Sequence, residues 1–421
     1  MTQNELLEGI RGCTCGQDHL CPIRELRVGG GAIKALPEIT RPFRRILLTA
    51  DQNTYAVGGA AVERLLGERI ADRVIFREVG VLIPDERSAG ILADAVRRIS
   101  PDLILAIGSG VLNDLAKYVS HGASLPYVIV ATAPSMDGYA SRGAAMILDG
   151  MKVTPTCSVP YAIIGDTDLL CTAPIDMIRA GYGDIIGKLS CICDWRLSHL
   201  INGEPICERI AELTLSVVDR IVPLAEAISA REPEAIGSLF SALVEVGVFM
   251  AYVGNSRPAS GSEHHLAHFF EITGILRSTP YLSHGIDVCC GAVITAELRQ
   301  RLLSSEAPCA DTPRPIDKEA LRSIYGSLFE EILALQERVG FYRKNRMPIY
   351  REKWGEIREI LASAPSPEQM LRLLSAAGIS FSDFLATYPR EHLHDAVLYA
   401  KDLKDRFTVL HLYYDLAQAT P

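Results

Sequence analysis

The sequence has no surplus of positive charge: 42 Lys and Arg stand against 51 Asp and Glu, for a net charge of −9 at pH 7. That balance argues against general binding to nucleic acid or to an anionic membrane surface. No uninterrupted apolar stretch reads as long enough to span a bilayer. The first residues, Met1-Thr-Gln-Asn-Glu-Leu-Leu-Glu8, lack the basic region and apolar core of a secretory signal. A cytoplasmic protein without membrane insertion or a nucleic-acid partner is therefore expected. Repeats and low-complexity tracts are missing as well. Nor is a disulfide framework indicated, because the 11 cysteines are odd in number. Cys191, Cys193, Cys289 and Cys290 sit inside apolar segments, as reduced core thiols do in a reducing compartment.

What is present is an ordinary globular composition, 48% hydrophobic and 22% charged over 421 residues, long enough for two domains with full cores. In the first part short β-rich runs alternate with amphipathic stretches, the pattern of βα units around a mostly parallel sheet. Strands are predicted at Arg45–Ala50, Arg73–Arg77, Leu103–Ile107 and Tyr127–Ala131, with helical spacing over Ser88–Ile99 and Leu112–Val119. Later the pattern turns to long helical segments, at Ala211–Ala230, Pro233–Tyr252, Ile316–Val339 and His392–Leu416. The expectation is an α/β Rossmann-like domain over residues 1–170 followed by an all-helical domain over residues 171–421.

Chemistry concentrates in a few places. Four of the ten histidines, His264, His265, His268 and His284, fall within one short stretch. His264 and His268 are four apart, so one helix face carries both, and imidazole suits zinc, nickel, copper or iron. A carboxylate for such a site stands in Gly181-Tyr-Gly183-Asp184-Ile-Ile-Gly187-Lys188, although an Asp near a helix start also serves as a cap. One carboxylate, two histidines and an open position are what a catalytic metal site requires. Cys13-Thr-Cys15-Gly-Gln-Asp-His19-Leu-Cys21 offers four soft ligands in nine residues, but the spacing matches no common zinc finger or ribbon, and an exposed turn is the default expectation.

In the first domain Leu105-Ala-Ile-Gly108-Ser-Gly110-Val-Leu-Asn113-Asp114-Leu-Ala-Lys117 reads as strand, Gly-rich turn and helix start, where backbone N–H groups receive a diphosphate. Asn113 stands where the dinucleotide fingerprint has its third glycine. The next strand ends in Thr132-Ala133-Pro134-Ser135-Met-Asp137, with Ser141 beyond, and polar strand ends side by side are where open α/β folds bind ligands. Asp51 follows another strand and suits either an adenosine ribose or a helix cap.

Taken in order, Gly108-Ser-Gly110 with Asn113, Asp114 and Lys117, then Thr132 to Asp137, Gly183-Asp184 with Lys188, Asp194-Trp195, Ser260-Gly-Ser-Glu-His264 and His284-Gly285 resemble the sn-glycerol-1-phosphate dehydrogenases of the bacterial branch. These lie in the superfamily of glycerol dehydrogenase, 3-dehydroquinate synthase and iron-type alcohol dehydrogenases. The resemblance runs over nearly the whole chain and implies a dehydroquinate synthase-like fold. It implies one divalent metal per chain, nickel or zinc, on Asp184, His264 and His284, with His265 the nearest competitor of His264. It implies NAD(H) or NADP(H) contacts at Asp51, Gly108, Gly110, Val111, Leu112, Asn113, Asp114, Thr132, Ala133, Pro134, Ser135 and Ser141. Substrate contacts are implied at Asp137, Asp184 and His268, with His268, Asp137 and Lys188 as catalytic groups. A substrate phosphate would itself need cationic or N–H partners, for which Lys188 and Arg257 are the candidates. After His284 the chain departs from the family pattern, Ile286 standing where a Glu is common. The implied reaction is reduction of dihydroxyacetone phosphate to sn-glycerol 1-phosphate, in a homodimer or higher homo-oligomer. Glycerol dehydrogenase or a dehydroquinate synthase-like enzyme is the rival within the superfamily, and a non-catalytic nucleotide- and metal-binding protein the rival outside enzymes.

Overall fold

The computed structural model describes residues 1–77, 80, 82–148 and 151–416. Six strands form one parallel sheet: β1 (Glu25–Gly29), β2 (Ile46–Asp51), β3 (Ile70–Phe76), β4 (Leu103–Gly108), β5 (Tyr127–Ala131) and β8 (Ala162–Asp166), in the order β1-β8-β5-β4-β2-β3. A small antiparallel hairpin, β6 (Met146–Leu148) with β7 (Met151–Val153), lies outside it. All residues of β4, β5 and β8 are buried. Covered on both faces, such strands need no polar alternation, which is why they read as continuous apolar runs. Each fully buried Leu, Ile or Val there contributes roughly 1.5–3 kcal/mol relative to exposure. Among the described residues no strand follows Asp166, so the α/β part followed by a helical part is as expected.

The predicted strands are all present, and β1, β8 and the hairpin are additions. Three of the long helical segments are interrupted. Ala211–Ala230 breaks at the 3-10 turn Val222–Leu224, where Pro223 removes a backbone donor. Ile316–Val339 breaks after Tyr325, where Gly326 takes φ 50°. His392–Leu416 resolves into Arg390–Tyr399, the 3-10 turn Ala400–Leu403 and Val409–Leu416.

By its internal contacts the chain divides into two compact units, Met1–Ile185 with Pro223–Ser256, and Ile186–Val222 with Arg257–Pro421. The division falls within one continuous helix, Ile175–Asn202. In the first unit one apolar cluster gathers Ile46, Leu48, Leu105, Ile107, Val130 and Ile164 from four strands. In the second, Leu197 and Ile201 pack with Tyr350, Trp354, Ile357 and Leu412. Among the described residues one helix, Pro233–Val253, is long and apolar enough to cross a membrane by length and composition; Glu245 interrupts its apolar run, and its apolar window is 78% buried.

Candidate active site

Strands β2, β4 and β5 are neighbours in the sheet, with Ala50 beside Ile107 and Gly108 beside Ala131. Their carboxyl ends therefore bring Asp51, the Gly108 turn and the Thr132 loop to one edge. From β2 the chain steps outward to β3 and returns to β4 on the other side, so strand order reverses here, the place where open α/β sheets take ligands. After Gly108 the helix Gly110–Gly122 begins, and Ser109 at its cap makes no side-chain capping bond. The first-turn amides of Gly110, Val111 and Leu112 thus have no intrahelical acceptor and suit an anion. Thr132 N donates to the Gly108 carbonyl at 3.1 Å, and Tyr139 Oη donates to the Ala133 carbonyl at 2.6 Å, which fixes the Thr132–Ser135 loop beside that turn.

Other expected contacts of the cofactor bond to the protein itself. Asp51 caps the short helix Gln52–Thr54, Oδ1 accepting from Asn53 N at 2.8 Å and Thr54 N at 2.9 Å. Buried Lys117 donates to the carbonyls of Gly138 and Gly143, both at 2.8 Å, and to Ser141 Oγ at 3.3 Å. Asp114 lies 3.5 Å from the same ammonium and accepts from Ala145 N. Asn113 reaches the Gly138 carbonyl. Asn113, Asp114 and Ser141 thereby hold the 138–145 segment. Burial raises the Asp114 carboxyl and lowers the Lys117 ammonium, and each charge opposes the shift of the other.

Asp184, His264 and His284 converge: one ligand atom from each lies within 4.8 Å of the other two. Asp184 is on Ile175–Asn202, His264 in the first turn of Ser262–Arg277, and His284 is the first residue of His284–Leu303 rather than part of a loop. His268 joins them, its ring centroid 6.3 Å from that of His264 and 5.5 Å from that of His284. Asp184 Oδ2 accepts from Asp137 N at 3.0 Å. His264 Nδ1 lies 2.8 Å from Glu263 Oε1, a wholly buried carboxylate that also accepts from Gly261 N. That pairing fixes the imidazole with Nδ1 protonated and Nε2 open to an ion, the arrangement usual around metal-bound histidine. A carboxylate, two imidazoles and such a partner fit a divalent cation.

His265 is elsewhere: fully buried, its ring is 6.4 Å from that of His411, and burial first, with nearby cations, lowers its pKa well below the ordinary range. Lys188 is buried and donates to the Ala259 carbonyl at 3.1 Å. Arg257 is paired with Glu204, Nε to Oε1 2.6 Å, and donates to the Phe407 carbonyl at 3.0 Å. In the N-terminal cluster Cys21 is not among the converging groups; its thiol is buried and desolvation pushes it up to about 11. Cys207 stands with Cys13, Cys15 and His19 instead. Glu263 was missed from the sequence because adjacent helix positions do not normally face each other; here it folds back over the helix start.

A model of the family described as iron-containing alcohol dehydrogenase matches residues 27–174. A glycerol-1-phosphate dehydrogenase (NAD(P)+) of Halalkalibacterium halodurans is 36% identical over 293 residues, covering 68% of this chain and 73% of that protein. The enzyme of the same name from Geobacillus stearothermophilus is 29% identical over 99% of this chain and 98% of its own length. Among solved structures, a 1,3-propanediol oxidoreductase superposes with TM-score 0.61 at 16% identity, covering 92% of this chain and 94% of that one. A sulfoacetaldehyde reductase of Bifidobacterium kashiwanohense in complex with NAD+ does so with TM-score 0.59 at 16% identity, covering 96% and 99%. These last two likenesses carry the fold.

Proposed function

Since the chain belongs to the family of glycerol-1-phosphate dehydrogenases, we propose that it reduces dihydroxyacetone phosphate to sn-glycerol 1-phosphate, with NADH or NADPH as hydride donor and a divalent cation, nickel or zinc, on Asp184, His264 and His284. The observation that carries this reading is the convergence of those three side chains, each supplied by a different helix. A cation bound there supplies Lewis-acid polarisation of the substrate carbonyl. The amides of Gly110 to Leu112 and the Thr132–Ser135 loop hold the dinucleotide diphosphate at the sheet edge. Asp137 positions Asp184 through its backbone N–H and faces the substrate. Hydride arriving at the ketone carbon leaves negative charge on the oxygen, and His268 delivers the proton that discharges it, since imidazole titrates near neutral pH. Lys188 fixes the segment leading into the His264 helix by its bond to the Ala259 carbonyl. No disulfide joins any of the eleven cysteines, all of which lie among the described residues, which fits a cytoplasmic setting.

The test is oxidation of NADH and NADPH with dihydroxyacetone phosphate and with dihydroxyacetone, before and after exhaustive chelation. Turnover is expected with the phosphorylated ketone, lost on chelation and restored by nickel or zinc. Full turnover in a preparation shown to be metal-free, or equal use of dihydroxyacetone, would overturn the proposal.

A further inference from the structure

We propose that Cys13, Cys15, His19 and Cys207 bind a second metal ion, a structural zinc held by three thiolates and one imidazole. One ligand atom from each of the four lies within 4.8 Å of all the others. A tetrahedral zinc has Zn–S of about 2.3 Å and Zn–N of about 2.0–2.1 Å, which sets its ligand atoms roughly 3.5–3.8 Å apart. Cys15 Sγ and His19 Nε2 are already 3.3 Å apart. The four groups therefore close on an ion with small side-chain movements.

The backbone is built to present them. Ile10 and His19 pair as an isolated antiparallel bridge, Ile10 N to the His19 carbonyl at 2.9 Å and His19 N to the Ile10 carbonyl at 2.8 Å. The eight residues between are folded back on themselves: Gly16 N donates to the Cys13 carbonyl at 2.9 Å, and Gly16 takes φ 84°, a left-handed conformation that favours glycine. This carries Cys13 and Cys15 back over His19. Buried His19 is aligned by its other nitrogen, Nδ1 lying 3.3 Å from the Tyr252 carbonyl. Donation from Nδ1 to that carbonyl leaves Nε2 with the lone pair a metal needs, the outer bond that such histidines usually make.

Cys207 adds an independent feature. It is buried at the cap position of the helix Glu208–Ile221, extended in backbone, with no side-chain capping bond. Its sulfur stands at the N-terminus of a fourteen-residue helix, so the fourth ligand comes from a regular element outside the loop. Four protein ligands leave no open position, so the ion is structural rather than catalytic. Its task is to order a loop whose own sequence, Arg11-Gly-Cys-Thr-Cys-Gly-Gln-Asp18, offers almost no apolar surface to bury.

Elemental analysis of the full chain, dialysed against a weak chelator, is expected to show zinc beyond the equivalent held at Asp184, His264 and His284. A His264→Ala chain should still retain one equivalent, and when loaded with cobalt should show thiolate-to-cobalt charge-transfer absorption. The double variant Cys13→Ser, Cys15→Ser should lose one metal per chain and keep its turnover. Cobalt-loaded His264→Ala without the thiolate band, or a double variant with undiminished metal content, overturns the proposal. The spectrum decides the matter even where the cysteine variant does not fold.

Discussion

Gly181→Ala sets two known effects against each other, and the structure decides between them. Alanine in a helix interior is better than glycine by about 0.8–1.0 kcal/mol, so the propensity of the helix Ile175–Asn202 alone favours the change. Against it, a Cβ at Gly181 would lie 2.8 Å from the Pro134 carbonyl carbon, closer still to its oxygen, and 3.1 Å from Leu243 Cδ1, where ordinary contact begins at 3.4 Å. The obstacle is backbone of the Thr132–Ser135 loop, which a rotamer change cannot move aside. Helix and loop must separate by about 1 Å, and a misplacement of that size near the reacting groups costs on the order of a hundredfold in rate. Gly181→Ala should therefore melt below the wild type and lose roughly two orders of magnitude in kcat/KM with NADH. Gly90, in the helix Glu86–Ile99, is the control: nothing lies within 4 Å of its added Cβ, and Gly90→Ala should raise stability by about 0.5–1 kcal/mol with turnover unchanged. Thermal unfolding and steady-state kinetics on the three proteins read both effects. A Gly181→Ala enzyme that melts higher, like the control, with unchanged kinetics would refute the reasoning.

His268→Ala should lower turnover by about a hundredfold to ten-thousandfold while metal content stays at the wild-type level, whereas His264→Ala should lose activity and active-site metal together; loss of metal from the His268 variant alone would reverse the assignment. Asp194 is buried, and desolvation first, then the Glu263 charge, pushes its carboxyl from the ordinary 3.8 up to about 6. A raised folded value means stability fully present below about pH 4 and lost as pH rises through about 6. The stability of wild type relative to Asp194→Asn should thus gain up to about 3 kcal/mol on going from pH 7 to pH 4, and a flat difference in denaturant titrations across that range would show the reading to be wrong.

The sheet centre was legible because burial on both faces leaves an unmixed apolar run, as in Leu103–Gly108. β1 was not, since Glu25 and Arg27 interrupt it at the sheet edge, where solvent tolerates charge. β8 hides behind Gly165, a poor strand residue by propensity; its missing side chain makes room for the Phe240 ring. The helix Ile175–Asn202 was obscured in the same way by Gly181, Gly183 and Gly187. At Gly187 a Cβ would meet Val288 Cγ1 at 2.6 Å, so that glycine, like Gly181, is a point of close approach. Residues that weaken the local signal are those that tertiary contact requires. The concentration of histidines at 264–284 and the Gly-flanked Asp184 stood out by residue type, but helical spacing alone paired His264 with His268; the set Asp184, His264 and His284 came from the family resemblance. Which neighbour of the His264–His265 pair faces inward is a matter of helix phase. Cys207 carries no local mark at all, because its partners lie at the other end of a long stretch of chain.

The placement of His264 poses an electrostatic problem that its surroundings answer. A helix N-terminus carries positive partial charge, and a ligand in the first turn of Ser262–Arg277 asks a cation to bind close to it. Two buried carboxylates stand at that turn. Asp194 Oδ2 accepts from Ser262 N at 2.7 Å, and Glu263 Oε1 accepts from Gly261 N at 2.8 Å. They satisfy amides that would otherwise be unpaired and cancel the field of the helix end. Burial first, and then the Glu263 charge, raise the Asp194 carboxyl, so holding two carboxylates at this turn carries a cost. Glu263 serves twice, since the oxygen that takes the Gly261 amide also faces His264 Nδ1. The negative charge is thus spent in aligning the ligand and in making its position habitable for an ion.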